Sequence, residues 1–384
     1  MQQSTVYARF GKPVSRKSYG DLIYEAMQQP DMLDCASGNN PYGTSPKALR
    51  AFTTQRDVLL NSYPTKKAPA LAAAIARRWN NVSDLKPEEI IVTASGDAAL
   101  QLFNKAFLSP GDDVVGYVPQ YPEYLLELRA VSANYVTVEE IPYFGGSRHG
   151  QGQAGEDELV SAIIRACRRQ PAAVFIDSPN NPTGQVLSLG GIAKVAKAVE
   201  AVPCPVMVDE AYGDTVADED SAITLQRDHP NIVVCRTLSK GYGLAGMRVG
   251  YLAAVKEYGN RLSSCSLPYP IGRLDEEVAC AAIGDSEFLV RNRVRVRQDN
   301  DRLARVIGSC RYLFMVNTHP QTVLALLGTR IEGVDLFSHL RDHGLVTAPG
   351  KYFKGLDARY VRLRIPENIQ EFAARLKDAD RALG

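Results

Sequence analysis

The sequence predicts an α/β protein: a large domain with a mostly parallel sheet flanked by helices, plus a smaller α+β domain. Three observations carry this expectation. From about residue 45 to 275, short apolar runs alternate with segments of helical spacing. The runs are apolar throughout, as in strands covered on both faces. Beyond about residue 285 the texture changes to long charged helices separated by isolated apolar runs. At 384 residues the chain is also longer than one small core requires.

The elements come in this order. PALAAAIARRWNNV (69–82) has helical spacing. EEIIVTAS ends in a strand, and GDAALQLFNKAFL continues as a helix. DDVVGYV reads as a strand and YPEYLLELRAVSA as a helix. AAVFIDSP is a strand and LGGIAKVAKAVEAV a helix. PVMVDEAY, NIVVCRTL and RVGYLAAV are three further strands. SEFLVRNRVRVRQDNDRLARVIG is a long charged amphipathic helix. After it come TVLALL, a helix near VDLFSHLRDHG, the strand YVRLRI and a last helix, ENIQEFAARLKDADRAL. The expected division is 1–44 as an N-terminal arm and part of the small domain, 45–280 as the large domain and 281–384 as the small C-terminal domain. Residues 144–157, GGSRHGQGQAGEDE, read as a flexible surface loop.

Bulk properties exclude several classes. The formal net charge is +1, so no global field draws the chain to nucleic acid or an anionic membrane. No apolar run is long enough to span a bilayer, and the N-terminus lacks the apolar core of a secretory signal. Seven scattered cysteines with no C-x-x-C spacing read as reduced thiols, and a cytoplasmic location is expected. His339 and His343 lie four apart on an expected helix, but no carboxylate motif accompanies them, so no metal site is expected.

TLSKGYGLAGMRVGY (237–251) holds two competing readings. Gly241, Gly243 and Gly246 have the G-x-G-x-x-G spacing of a dinucleotide loop. That loop needs a helix opening after it and an acid about twenty residues on. Here MRVGYLAAV reads as another strand, and SSCSLPYP contains no acid. The other reading makes Lys240, at a strand end between Ser239 and Gly241, the functional residue. A lysine in a cleft can act as an amine nucleophile toward an aldehyde.

Other segments converge on the lysine. Asp209 ends the hydrophobic strand VMVD, where a buried carboxylate needs a partner such as a protonated pyridine nitrogen. SPNNPTG (178–184) is an Asn-Pro turn at another strand end. TASGDAAL (93–100) is strand, small-residue turn and helix, which exposes the amides of Gly96, Asp97 and Ala98 to an anion. PQYPEY (119–124) supplies the aromatic face of Tyr121. All fall at the carboxyl ends of strands, where ligands bind in such sheets.

This series of motifs resembles the fold-type-I pyridoxal-phosphate enzymes, the class I/II aminotransferase superfamily, from about residue 34 to the C-terminus. NNPYGTSP, SKGYGLAGMRVGY and LPYPIG are similar to segments of histidinol-phosphate aminotransferases and their relatives. The resemblance implies a homodimer using pyridoxal 5'-phosphate. Lys240 would form the internal aldimine and carry the Cα proton, with Asp209 on the pyridine nitrogen sustaining the quinonoid. Asn181 and Tyr212 would contact the phenolic oxygen, and Tyr121 would stack on the ring. Gly96, Asp97, Ala98, Thr237, Ser239 and Arg248 would hold the phosphate, and Tyr63 would reach the neighbouring subunit's cofactor. In RYVRLRIP, Arg362 is the residue that would grip the substrate carboxylate, with Arg364, two residues on, as the alternative. The pattern departs at HGLVTAPGKYF, where Thr347 or Ala348 stands in place of the second arginine of histidinol-phosphate aminotransferases. The implied activity is therefore amino transfer from a free α-amino acid. The alternative is a lyase, decarboxylase, dehydratase or cyclase on the same frame.

Overall fold

The computed structural model describes residues 19–54, 61–138 and 152–384. A two-residue strand, β1 (Leu33–Asp34), precedes the main sheet. Seven strands form that sheet: β2 (Ile90–Thr93), β3 (Asp113–Tyr117), β4 (Asn134–Val138), β5 (Ala173–Asp177), β6 (Val206–Asp209), β7 (Ile232–Thr237) and β8 (Gly250–Ala254). Their order is β2-β8-β7-β6-β5-β3-β4. All pairings are parallel except those of β8, which runs antiparallel to both neighbours.

β5, β6 and β7 are buried at every position, which explains their uniformly apolar reading. Alternation along them still sorts side chains to two faces. Val174, Ile176, Val206 and Val208 pack with Leu71, Ile75, Ile192 and Val195 of the helices Pro69–Trp79 and Leu189–Ala198. Phe175, Met207 and Val233 face Phe103, Leu128 and Leu262 of the helices Gly96–Phe107, Pro122–Ala130 and Lys256–Cys265.

A second, antiparallel sheet has the order β12 (Ala348–Pro349), β13 (Tyr360–Arg364), β10 (Leu324–Thr329), β9 (Leu313–Met315). Leu324, Leu327 and Leu363 pack with Val296, Leu303 and Ile307 of helix Ser286–Gly308 and with Phe372 and Leu376 of helix Ile369–Ala382. β1 pairs in parallel with β11 (Leu345–Val346).

One expectation is corrected, that of the loop, while the N-terminal segment gains detail. The N-terminal stretch is structured from Tyr19: helix Tyr19–Met27 buries Ile23 and Ala26 against Val346, Ala348 and Phe353. Only two of its nine residues are buried, so its periodic signal is short and weak. Of the expected loop 144–157, residues 144–151 lie outside the described residues, and 152–157 begin helix Gly152–Cys167.

Phe103 is fully buried and packs on Phe107 at 5.0 Å between centroids. Phe103→Ala is expected to destabilise the chain by about 3–5 kcal/mol, seen as a lower denaturant midpoint with an unchanged slope.

Candidate functional site

A cavity of about 420 Å³ opens at the carboxyl ends of the central parallel strands. Its floor carries Asp209, last residue of β6 and almost fully buried. Asp209 Oδ1 accepts the Ala211 N–H at 3.0 Å, and no cation of the described residues forms an ion pair with it. Burial pushes its carboxyl up to about 7, with the neighbouring Asp177 charge adding to the shift.

Lys240 lies just past the end of β7, and its Nζ is 5.2 Å from the centroid of the Tyr212 ring. Gly38 closes on this pair. A Cβ there would fall 2.7 Å from the Tyr212 hydroxyl and 2.8 Å from Lys240 Nζ, so a side chain at this position would displace one or both of these groups. The peptide after Lys240 is clamped as well: Asn40 Nδ2 and Asn292 Nδ2 donate to Gly241 O at 2.9 and 3.3 Å.

The glycines beside Lys240 serve packing. A Cβ on Gly241 would meet the Asp214 Cβ at 2.2 Å. Gly243 has φ +69° and approaches the Gly43 carbonyl so closely that a Cβ would lie 2.0 Å from it. Gly246 faces open space. The chain then enters the strand β8 instead of a helix, so the dinucleotide reading fails on structure too.

One end of the cavity is built for an anion. Ser95 caps helix Gly96–Phe107, and the first-turn amides of Gly96 and Asp97 have no intrahelical acceptor. The Ala98 N–H is taken by Ser95 Oγ at 3.1 Å, and Ala98 does not line the cavity. Thr237 and Ser239 stand beside these amides with hydroxyls 2.9 Å apart. Arg248, held at φ +53°, places its guanidinium 3.6 Å from Asp97 Oδ2, and both side chains are about half exposed. Tyr121 leans over this end and donates its hydroxyl to Asp97 Oδ1 at 3.2 Å.

The other end holds Arg362, from β13 of the second sheet and only 2% exposed. Its Nη1 donates to Asn181 Oδ1 at 3.2 Å and to the Tyr19 hydroxyl at 3.3 Å, and Nη2 donates to Ala36 O. Its Nε has no acceptor, and no carboxylate of the described residues pairs with it. A buried guanidinium left in this state is a site for an incoming carboxylate.

The expected residues divide accordingly. Gly96, Asp97, Tyr121, Asn181, Asp209, Tyr212, Thr237, Ser239, Lys240, Arg248 and Arg362 all line the cavity. Arg364 does not reach it: fully buried, it donates to Asp34 O at 2.8 Å and lies 3.5 Å from Asp34 Oδ2, which fastens β1 to β13. Tyr63 is 80% exposed, stacked on Tyr269 at 5.1 Å and absent from the cavity wall. Tyr19, Gly38 and Asp177 line the cavity in addition to the residues expected from sequence. Only Asp177, a charge at the end of an apolar strand, left a legible sign, the same one that marked Asp209.

The chain matches the model of the family Aminotransferase class I and II over residues 30–376. It is 33% identical to the histidinol-phosphate aminotransferase of Staphylococcus saprophyticus over 271 residues, 70% of this chain and 71% of that one. It is 30% identical to the histidinol-phosphate aminotransferase of Thermobifida fusca over 331 residues, 85% of each chain. Among solved structures, the histidinol-phosphate aminotransferase of Sinorhizobium meliloti in complex with pyridoxal-5'-phosphate superposes with a TM-score of 0.79 at 21% identity, covering 95% of both chains. The aspartate aminotransferase of Thermus thermophilus with maleate gives 0.78 at 22% identity, covering 96% of this chain and 97% of that one. On the span of the family match and the identity to these relatives, the chain is a member of the class I and II aminotransferases.

Proposed function

We propose that the chain is a pyridoxal 5'-phosphate-dependent aminotransferase acting on a free α-amino acid. The observation that carries this is Asp209: a nearly buried carboxylate on a cavity floor, held among the described residues by one backbone amide and no cation. A protonated ring nitrogen supplies the missing cation. The fit extends to both ends, with free amides and Arg248 where a phosphate would sit and an Arg362 without an acid partner where a carboxylate would.

The cofactor supplies an aldehyde that takes up amines covalently and a ring that withdraws electrons from the bond to be broken. Lys240 supplies the resident amine, and its Nζ takes and returns the proton at the substrate Cα. Asp209 would hold the protonated ring nitrogen, Asn181 and the Tyr212 hydroxyl would contact the phenolic oxygen, and Tyr121 would pack against the ring. Gly96 and Asp97 amides, with Thr237, Ser239 and Arg248, take the phosphate; the Ala98 amide, already bonded, does not contribute. Arg362 fixes the substrate carboxylate and so sets which Cα bond stands over Lys240.

The charge count favours a substrate with a single anionic group. The cavity-lining cations of the described residues are Lys240, Arg248 and Arg362. Each already has a partner in this scheme, and Thr347 and Ala348 are fully buried and uncharged. A homodimer is part of the proposal. Tyr63, Leu267, Leu49 and Phe52 are each more than half exposed, apolar side chains suited to cover by a second copy, and Tyr63 would then reach the partner's site.

Three outcomes test this. Borohydride is expected to fix the cofactor to the Lys240 peptide in the native chain and to no peptide in Lys240→Ala, read by mass analysis. A keto acid and the amine form of the cofactor should accumulate when amino acids are added; products lacking carboxylate or a side-chain leaving group would mean a lyase instead. Arg362→Ala should raise the KM for the amino acid by roughly thirtyfold or more with little change in cofactor affinity. Arg364→Ala should instead lower stability by about 2–3 kcal/mol. For Asp209 the sign is set by its raised carboxyl, about 7 when folded against roughly 3.9 unfolded. Its contribution to the stability of the cofactor-free chain is complete below about pH 4 and lost as pH rises through 7. Asp209→Asn should therefore gain stability relative to the native chain between about pH 5 and pH 8, measured as urea midpoints.

A further inference from the structure

A second carboxylate shares the cavity floor. Asp177 ends β5 as Asp209 ends β6, and the two are direct partners in the parallel register. Asp177 is 3% exposed, lines the cavity and has no ion pair among the described residues. Its hydrogen bonds identify its charge state. Asn180 Nδ2 donates to its two oxygens at 2.9 and 3.0 Å, the Asn181 N–H donates to Oδ2 at 3.1 Å, and Gln120 Nε2 approaches Oδ1 at 3.4 Å. These four contacts come from N–H donors, which favour the anion over the acid. Burial pushes the carboxyl up to about 6, and the donors pull against it, which leaves it charged at neutral pH.

Two like charges side by side in a buried floor repel, and each makes the other a better proton acceptor. The surroundings do not relieve them. Of the other acids near Asp209, Glu210 is paired with Arg236 at 3.0 Å, and Asp97 faces Arg248. The Tyr117 hydroxyl donates to the Asp177 backbone carbonyl at 2.6 Å and adds no charge. The Tyr135 hydroxyl donates to Tyr117 O at 2.9 Å. Tyr124 lies stacked on Phe175 at 3.6 Å with no partner for its hydroxyl, and Cys235 is level with Asp209 on β7. None of these groups is a cation that balances the pair.

We propose that Asp177 is a positioning residue acting through Asp209: its fixed negative charge tightens the hold of Asp209 on a protonated ring nitrogen. This rests on the cofactor reading above. The same carboxylate anchors the Asn180–Asn181 turn, so one side chain sets both the charge under the ring and the place of Asn181.

The charge role separates from the turn role by ligand choice. The full chain, freed of cofactor, is titrated at equilibrium with pyridoxal 5'-phosphate and with its 1-deaza analogue, in which a C–H replaces the ring nitrogen. The native chain should prefer the pyridine. Asp177→Asn should reduce that preference by on the order of tenfold, one unit of proton affinity, beyond any loss from the turn that both ligands share. Asn180→Ala, which loosens the turn without altering charge, should weaken both ligands together. Asp177→Ser gives the same reading if the new amide clashes with the Asn181 N–H. Equal losses for both ligands in Asp177→Asn, or an unchanged preference, would overturn the proposal. A native chain that binds both ligands equally removes the role of Asp209 and this proposal with it; one that binds neither removes the cofactor reading itself.

Discussion

Burying a carboxylate without a cation is among the costlier things a fold can do, and the placement of Asp209 is what the rest of the site answers to. A strand end inside a doubly covered sheet holds it there. β6 is buried along its whole length, and its neighbours β5 and β7 bring Asp177 and Cys235 level with it. The parallel pairing aligns the three carboxyl ends, so the segments leaving them all emerge on the same side. The Asn180–Asn181 turn, Tyr212 and Lys240 belong to those segments. Their convergence is thus a consequence of strand direction, not of separate adjustments.

The acids close to Asp209 show how unusual its state is. Glu210 and Asp214 share the buried Arg236, at 3.0 and 3.3 Å. Asp218 receives Arg78 at 2.7 Å and also Arg293. Arg236 lies over the Trp79 ring at 4.9 Å, with Arg78 on the same ring at 5.0 Å. The chain therefore neutralises three of its buried or half-buried carboxylates beside the site with its own arginines, and among the described residues leaves Asp177 and Asp209 without one. Burial is common to both groups; the paired acids differ from the two proposed functional ones in whether the described residues provide the counter-charge.

Sequence made the floor of the site legible because its residues break an apolar run. Asp209 closes VMVD, and Lys240 comes two residues after IVVCRT and its leucine; a charge at the edge of a buried strand announces itself. The family resemblance then placed Asn181, Tyr212 and Arg248. Tyr19 and Gly38 were not readable, because their roles depend on contacts made across hundreds of positions of chain. Tyr19 meets Arg362, 343 positions away, on a helix with only two buried residues. Gly38 matters only for the space between Tyr212 and Lys240. Arg362 and Arg364 show the limit most sharply. Alternation puts both on one face of β13, and only the family resemblance puts Arg362 ahead of Arg364. The structure separates them by what lies opposite: Arg364 meets Asp34, while the hydrogen-bond partners of Arg362 among the described residues are neutral oxygens.

That separation also explains how the two sheets make one site. Arg364 fastens β13 to the segment after β1, and its own N–H donates to Cys35 O at 2.7 Å. The same segment continues to Ala36, whose carbonyl receives Arg362, and to Gly38, which closes over Lys240. Asn181, from the large sheet, accepts another Arg362 bond. The proposed carboxylate site thus lies where a residue of each sheet and the segment between them meet. A bound carboxylate would engage Arg362 and, through Asn181 and Ala36, hold both sheets in the arrangement that places Cα against Lys240. Substrate binding and the alignment of the proton-carrying amine are then one event, because the same guanidinium serves as ligand site and as the tie between the two sheets.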